Sequence, residues 1–131
     1  MIVLDTHALV WWIGGDPRLS RKAAAVIRNE LSTGQVGIPS ISAWEIGMLV
    51  AKGRITLGMD VTEWLDTVQT IPGVALLPLS AKIALDSTRL PGRFHDDPAD
   101  RMIVATARAE NAPLATADRH ILAYPHVRTI W

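Results

Sequence analysis

The sequence predicts an α/β fold, a single domain with a four- to five-stranded parallel sheet and helices on both faces. Three observations lead there. Short apolar runs of β-forming residues alternate with helical patterns along the chain. Strands separated by helices pair in parallel through right-handed crossovers. The 131 residues fit one domain, 1–131, long enough to bury a core without a disulfide or structural metal.

The first strand is Ile2–Leu4, ending at Asp5. Ser20 caps a helix over Arg21–Leu31, with Gly34 just past its end. Val36–Pro39 is the second strand. Ser42 is placed to cap a helix over Ala43–Ala51, closed by Gly53, and Ser42-Ala-Trp-Glu45 has the spacing of a capping box. Asp60 or Thr62 opens a helix to about Thr70, stopped by Pro72-Gly73. Val74–Leu79 is the third strand. Ser80 caps Ala81–Leu90, which Pro91-Gly92 ends. Asp97 followed by Pro98 reads as a cap with proline at the first helical position, opening a helix to Asn111. Leu114–Thr116 is the fourth strand, and Val127–Ile130 a fifth at an edge.

Composition narrows the chemistry. Apolar residues are 49% and charged residues 20%, as in a folded globular domain. Cysteine is absent, which excludes a disulfide scaffold, a thiolate metal site and a cysteine nucleophile. Thirteen basic and thirteen acidic residues cancel, so nucleic-acid contact requires local clustering of charge. No apolar run reaches a membrane span and no targeting segment is visible, so a cytoplasmic protein without a membrane partner is expected.

In parallel sheets ligands bind beyond the carboxyl ends of the strands. Topology brings four acids to that edge. Asp5 ends strand one, Glu45 lies in the first turn of the helix after strand two, and Asp118 follows strand four. The helix holding Asp100 must run antiparallel to the strands, so its first turn lies at the same edge. Each acid alone has an ordinary reading as a cap, a dipole partner or a strand end. Together they would repel, by about 4 kcal/mol for a pair about 4 Å apart at an effective dielectric of about 20. A cluster of this kind needs protonation or a cation. Oxygen ligands suit Mg²⁺ or Mn²⁺, and such pockets support metal-assisted phosphodiester hydrolysis.

Four stretches carry a resemblance: Asp5-Thr6-His7-Ala8-Leu9, Pro39-Ser-Ile-Ser-Ala-Trp-Glu45, His95-Asp-Asp-Pro-Ala-Asp-Arg-Met-Ile-Val-Ala-Thr-Ala107 and Thr116-Ala-Asp118. In order and spacing they resemble the motifs of PIN-domain ribonucleases, and among these the VapC toxins of type II toxin–antitoxin modules. The resemblance covers nearly the whole chain. It implies a PIN domain over 1–131, a Mg²⁺- or Mn²⁺-dependent endoribonuclease acting on RNA, a homodimer, and inhibition by a cognate VapB-type antitoxin. The family's catalytic, metal-holding acids fall on Asp5, Glu45, Asp100 and Asp118.

Asp96 and Asp97 lie close to Asp100. Asp97 reads as the cap before Pro98, but whether Asp97 or Asp100 is the third ligand stays open. Arg93, Arg101 and Arg119 flank the site in sequence and either hold RNA phosphates or neutralise the acids. Thr116, grouped with these arginines as a candidate RNA contact, either bonds a ligand carboxylate or a metal-bound water or only ends its strand. His7 and His95 have no assigned role. Trp44 is expected in the core. Adjacent Trp11 and Trp12 cannot both face inward, so one is expected at a partner surface.

Two rival readings fit less well. A phosphatase-like site needs a second Asp two residues after Asp5, where His7 stands, and a receiver-like site needs an acid where Leu79-Ser80 stand. The other rival is a nucleic-acid or protein-binding module whose acid rim is electrostatic camouflage; a metal-binding titration separates it, since such a module has no reason to hold Mn²⁺.

Overall fold

Ile2, Val3 and Leu4 are completely buried and form the middle strand of the sheet. Alternate residues of a strand face opposite ways. Ile2 and Leu4 accordingly join one apolar core and Val3 the other. The computed structural model describes residues 1–131. Its elements are β1 (Ile2–Leu4), α1 (Thr6–Gly14), α2 (Arg21–Thr33), β2 (Val36–Pro39), α3 (Ile41–Ala51), α4 (Val61–Gln69), β3 (Val74–Leu77), α5 (Ala81–Ser87), α6 (Pro98–Ala109), β4 (Leu114–Ala115), α7 (Arg119–Leu122) and β5 (Thr129–Ile130). All strand pairs are parallel, in the order β3-β2-β1-β4-β5.

Helices cover both faces. Leu9 of α1, Ile27 of α2, Ile46 of α3 and Trp64 of α4 pack under Ile2, Leu4 and Ile38. Ile83 of α5, Ile103 and Val104 of α6 and Ile121 of α7 pack against Val3 and Leu114. Each fully buried Ile or Leu contributes about 1.5–3 kcal/mol. No helix is long and apolar enough to cross a membrane.

The expected fold class is found, and several boundaries move. Helix α1 is missing from the sequence assignment because Thr6–Gly14 is apolar nearly all round and shows no face. Strand β3 stops at Leu77, before Pro78, which has no N–H for the ladder. Helix α5 ends at Ser87, where the Ser87 and Thr88 hydroxyls donate to the carbonyls of Ala84 and Leu85. Strands β4 and β5 shrink to two residues each.

The capping box at Ser42 does not form. Ser40 holds the cap position with φ −59° and ψ −27°, already helical, so α3 winds directly from β2. Ser42 is thereby drawn inside the first turn and buried. Trp44 is also misplaced by the sequence reading: it is 57% exposed. Positions two apart on a helix lie on opposite sides, and the buried Ser42 and Ile46 leave Trp44 facing outward.

Candidate functional site

Asp5 anchors the carboxyl edge. Its N–H donates to the Ala115 carbonyl at 3.0 Å, which fixes its backbone between β1 and β4. It also caps α1: its Oδ1 accepts the Thr6 N–H at 2.7 Å. Its Oδ2 accepts the Thr116 hydroxyl at 2.7 Å. The Thr116 oxygen in turn accepts the Asp118 N–H at 3.0 Å. One buried hydroxyl thus spaces two of the four expected acids.

Glu45 is held through Thr6. The Thr6 hydroxyl lies 2.6 Å from Glu45 Oε1 and 3.0 Å from Ser42 Oγ. It has one proton, which goes to the carboxylate, so the Ser42 hydroxyl is the donor of the second bond. Sequence reasoning missed the role of Thr6 and read Ser42 as a helix cap, not as a partner of the Thr6 hydroxyl. The signal available was a hydroxyl directly after the strand-end acid and another one helical turn before Glu45.

Asp97 and Asp100 separate by role. Asp97 Oδ1 caps α6, accepting the Asp100 N–H at 2.9 Å, behind Pro98 in the first turn. The Asp100 carboxylate turns to the edge, where its side chain is 16% exposed and its Oδ2 lies 2.8 Å from His95 Nε2. That buried nitrogen has no well-aligned hydrogen bond. Asp118 does two things. Its Oδ1 caps α7 through the His120 and Ile121 amides at 2.9 and 3.1 Å, and its charge reaches Asp100.

The charges of these acids act on one another. Burial, followed by the charges of Asp5, Asp97, Asp118 and Glu45, pushes Asp100 up to about 8. Burial also raises Asp5 and Glu45, against the hydrogen bonds that favour their ionised forms. The only basic groups within ion-pair distance are imidazoles: His7 Nδ1, 3.6 Å from Asp5 Oδ2, and His95 at Asp100. His7 Nε2 accepts the Ala117 N–H at 2.9 Å, so neutral His7 carries its proton on Nδ1, toward Asp5.

No three of these side chains form a closed metal cage as they stand. Oxygens of Asp5, Glu45 and Asp118 are engaged by the fold, while each carboxylate keeps further lone pairs. A set of hard, mutually repelling oxygens without a lysine or arginine counter-charge suits a divalent cation.

The flanking arginines divide. Arg101 turns inward: its Nε donates to the Ser87 carbonyl at 2.7 Å, and its Nη1 to those of Phe94 and His95 at 3.0 and 3.1 Å. Arg93 and Arg119 are exposed and make no ion pair. Trp11 and Trp12 are both half-buried. Trp11 packs on His7 and Trp131, with the Arg18 guanidinium 4.7 Å above its ring.

The family model described as "PIN domain" matches residues 2–127. The chain belongs to the PIN domain family. Its relatives include Ribonuclease VapC22 of Mycobacterium tuberculosis, 33% identical over 132 residues, covering 99% of this chain and 98% of that protein. Among solved structures, this PIN domain is similar to VapBC2 from Rickettsia felis bound to a promoter DNA fragment. The TM-score is 0.72 at 22% identity, over 99% of this chain and 98% of the other. It is also similar to FitAcB from Neisseria gonorrhoeae, with TM-score 0.70 at 20% identity, over 100% and 97%. At those identities the likeness concerns the PIN fold alone.

Proposed function

We propose that this PIN domain is a Mg²⁺- or Mn²⁺-dependent endoribonuclease, the toxin of a VapBC-type module. The observation that carries the reading is the rim of Asp5, Glu45, Asp100 and Asp118, crowded enough to raise Asp100 to about 8 with no arginine or lysine to neutralise it. Membership of the PIN family and the likeness to a ribonuclease along the whole chain support it.

Asp5, Glu45, Asp100 and Asp118 would hold the cation. When bound, it would supply the Lewis acidity and positive charge that phosphodiester hydrolysis requires. The chain's own part is preorganisation. Thr116 and the Thr6 amide keep Asp5 from turning away, and the Thr6 hydroxyl does the same for Glu45. His7 ties the segment before Asp118 to α1 through the Ala117 amide. Arg101 fixes the loop that carries His95. No side-chain nucleophile is needed.

The natural partner is a VapB-type antitoxin, a reading supported by the VapBC complex among the similar structures. A homodimer is part of the same proposal, and Trp44, 57% exposed on α3, is a suitable anchor for either contact. The site of action is the cytoplasm.

The test is direct. Purified protein should cleave RNA only with Mn²⁺ or Mg²⁺, and expression without an antitoxin should arrest bacterial growth. Asp5→Ala, shown to be folded, should abolish both. A folded Asp5→Ala variant as toxic as the parent would refute the reading.

A further inference from the structure

Beside the acidic rim lies a second feature. A cleft of about 250 Å³ opens between the loop before α6 and α7, lined by Arg93, Phe94, His95, Arg119, His120 and Tyr124 among others. His95 forms a wall common to both places. One of its nitrogens lies 2.8 Å from Asp100 Oδ2, and its ring stacks on His120 at 4.2 Å and 14°. The stack is built in from behind. Phe94 meets the His95 ring edge-on at 4.6 Å and packs on Tyr124 at 4.8 Å. The Tyr124 hydroxyl donates to the Pro91 carbonyl at 2.5 Å. His120 itself is exposed.

The cleft therefore offers two kinds of group. Arg93 and Arg119 have no ion pair within the chain and present guanidinium forks, which match a phosphate bidentately. His120 presents a flat ring for stacking, the commonest way in which unpaired bases are held. An acidic peptide would use the arginines and leave the ring unused. A polyanion approaching four carboxylates also needs positive charge close to them, and the neutral chain offers it here.

We propose that this cleft seats a nucleotide of single-stranded RNA flanking the phosphodiester at the acidic rim, its phosphate on Arg93 and Arg119 and its base on His120. The proposal rests on the nuclease reading for its substrate, and binding can be measured apart from cleavage.

The experiment follows anisotropy of a fluorescein-labelled single-stranded RNA in metal-free buffer across a salt series, with Mn²⁺-dependent cleavage in parallel. Arg93→Gln/Arg119→Gln should weaken binding at least 10-fold and flatten the log–log salt slope by roughly 0.7, the value for one phosphate of a single strand. The melting temperature should not change. His120→Ala should weaken binding roughly 5-fold or more, and His120→Phe should restore it. Arg21→Gln/Lys22→Gln, with the same charge change at the start of α2, should bind as the parent does.

Unchanged affinity and slope in the arginine variant, with cleavage intact, overturns the nucleotide seat and leaves the nuclease reading standing. Loss in the arginine variant with no effect of His120→Ala also overturns it, since the cleft is then a simple anion site. Equal loss in the Arg21/Lys22 variant overturns it as well, because binding then follows net charge alone. Arginine- and ring-dependent binding by a protein that cleaves no RNA with Mn²⁺ supports the seat and refutes the nuclease.

Discussion

The Thr116 hydroxyl donates to Asp5 Oδ2 at 2.7 Å across 111 positions of sequence, and both residues are buried. The same oxygen accepts the Asp118 N–H, so one side chain positions acids from two strands. Thr116→Val keeps the shape and removes both bonds. It should lower unfolding free energy by about 1–3 kcal/mol, since a carboxylate and an amide lose their partner. Thr116→Ser should recover most of this. Urea unfolding and Mn²⁺-dependent cleavage of the two variants check it, and equal stability of the Thr116→Val and Thr116→Ser proteins would refute the relay.

The acidic rim fixes the sign of the pH dependence. Asp100 titrates at about 8 when folded and near the ordinary 3.8 when unfolded, so between these values the folded state binds more protons. Stability therefore falls as pH rises through that window, being fully present below about 3.8 and lost by about 8. Asp5 and Glu45, also raised, act in the same direction. Metal-free protein should melt at lower temperature at pH 8 than at pH 5.5. Asp100→Asn should flatten that slope and raise the melting temperature at pH 8. A steep slope retained in Asp100→Asn would place the titration elsewhere.

Asp97 and Asp100 make opposite predictions. Asp97→Ala removes the cap of α6 and should cost about 0.5–2 kcal/mol, with Mn²⁺-dependent cleavage largely kept. Asp100→Ala should abolish cleavage while leaving metal-free stability unchanged or higher. Denaturant titration and a cleavage assay on both variants measure the two axes. The reverse pattern would exchange their roles.

Divalent cation should stabilise the folded state by mass action, about 2.7 kcal/mol at a concentration 100 times the dissociation constant. The melting temperature should rise with millimolar Mn²⁺. In Asp5→Asn the metal-free protein should melt higher and the Mn²⁺ shift should shrink. A melting temperature indifferent to Mn²⁺ in both proteins would remove the cation from the account.

Much of this arrangement was legible because parallel topology is a strong constraint. Asp5 at the end of Ile2–Leu4, Asp100 behind Pro98 and Asp118 after Leu114–Ala115 could be placed from strand ends and one capping proline. What escaped depends on rotation and on polar partners. Trp44 turned outward because the phase of α3 is set by Ser42 and Ile46, and its start shifted when Ser40 took a helical conformation. Glu45 pairs with Thr6 instead of its own helix amide, a choice made by packing between α1 and α3. Arg101 reads in sequence as a partner for RNA phosphates or for the acids, yet three carbonyls from two separate segments converge on it. The stacking of His120 on His95 joins positions 25 apart that no local pattern links.

The sheet order has a consequence for biosynthesis. The middle strand, β1, is translated well before one of its two neighbours, β4, whose Leu114 lies opposite Val3. A chain ending before residue 114 carries Asp5, Glu45 and Asp100 but has neither the strand that seals one side of β1 nor Thr116 and Asp118. Synthesis from the amino end therefore delivers three of the four acids well before the strand and the hydroxyl that complete the rim around Asp5.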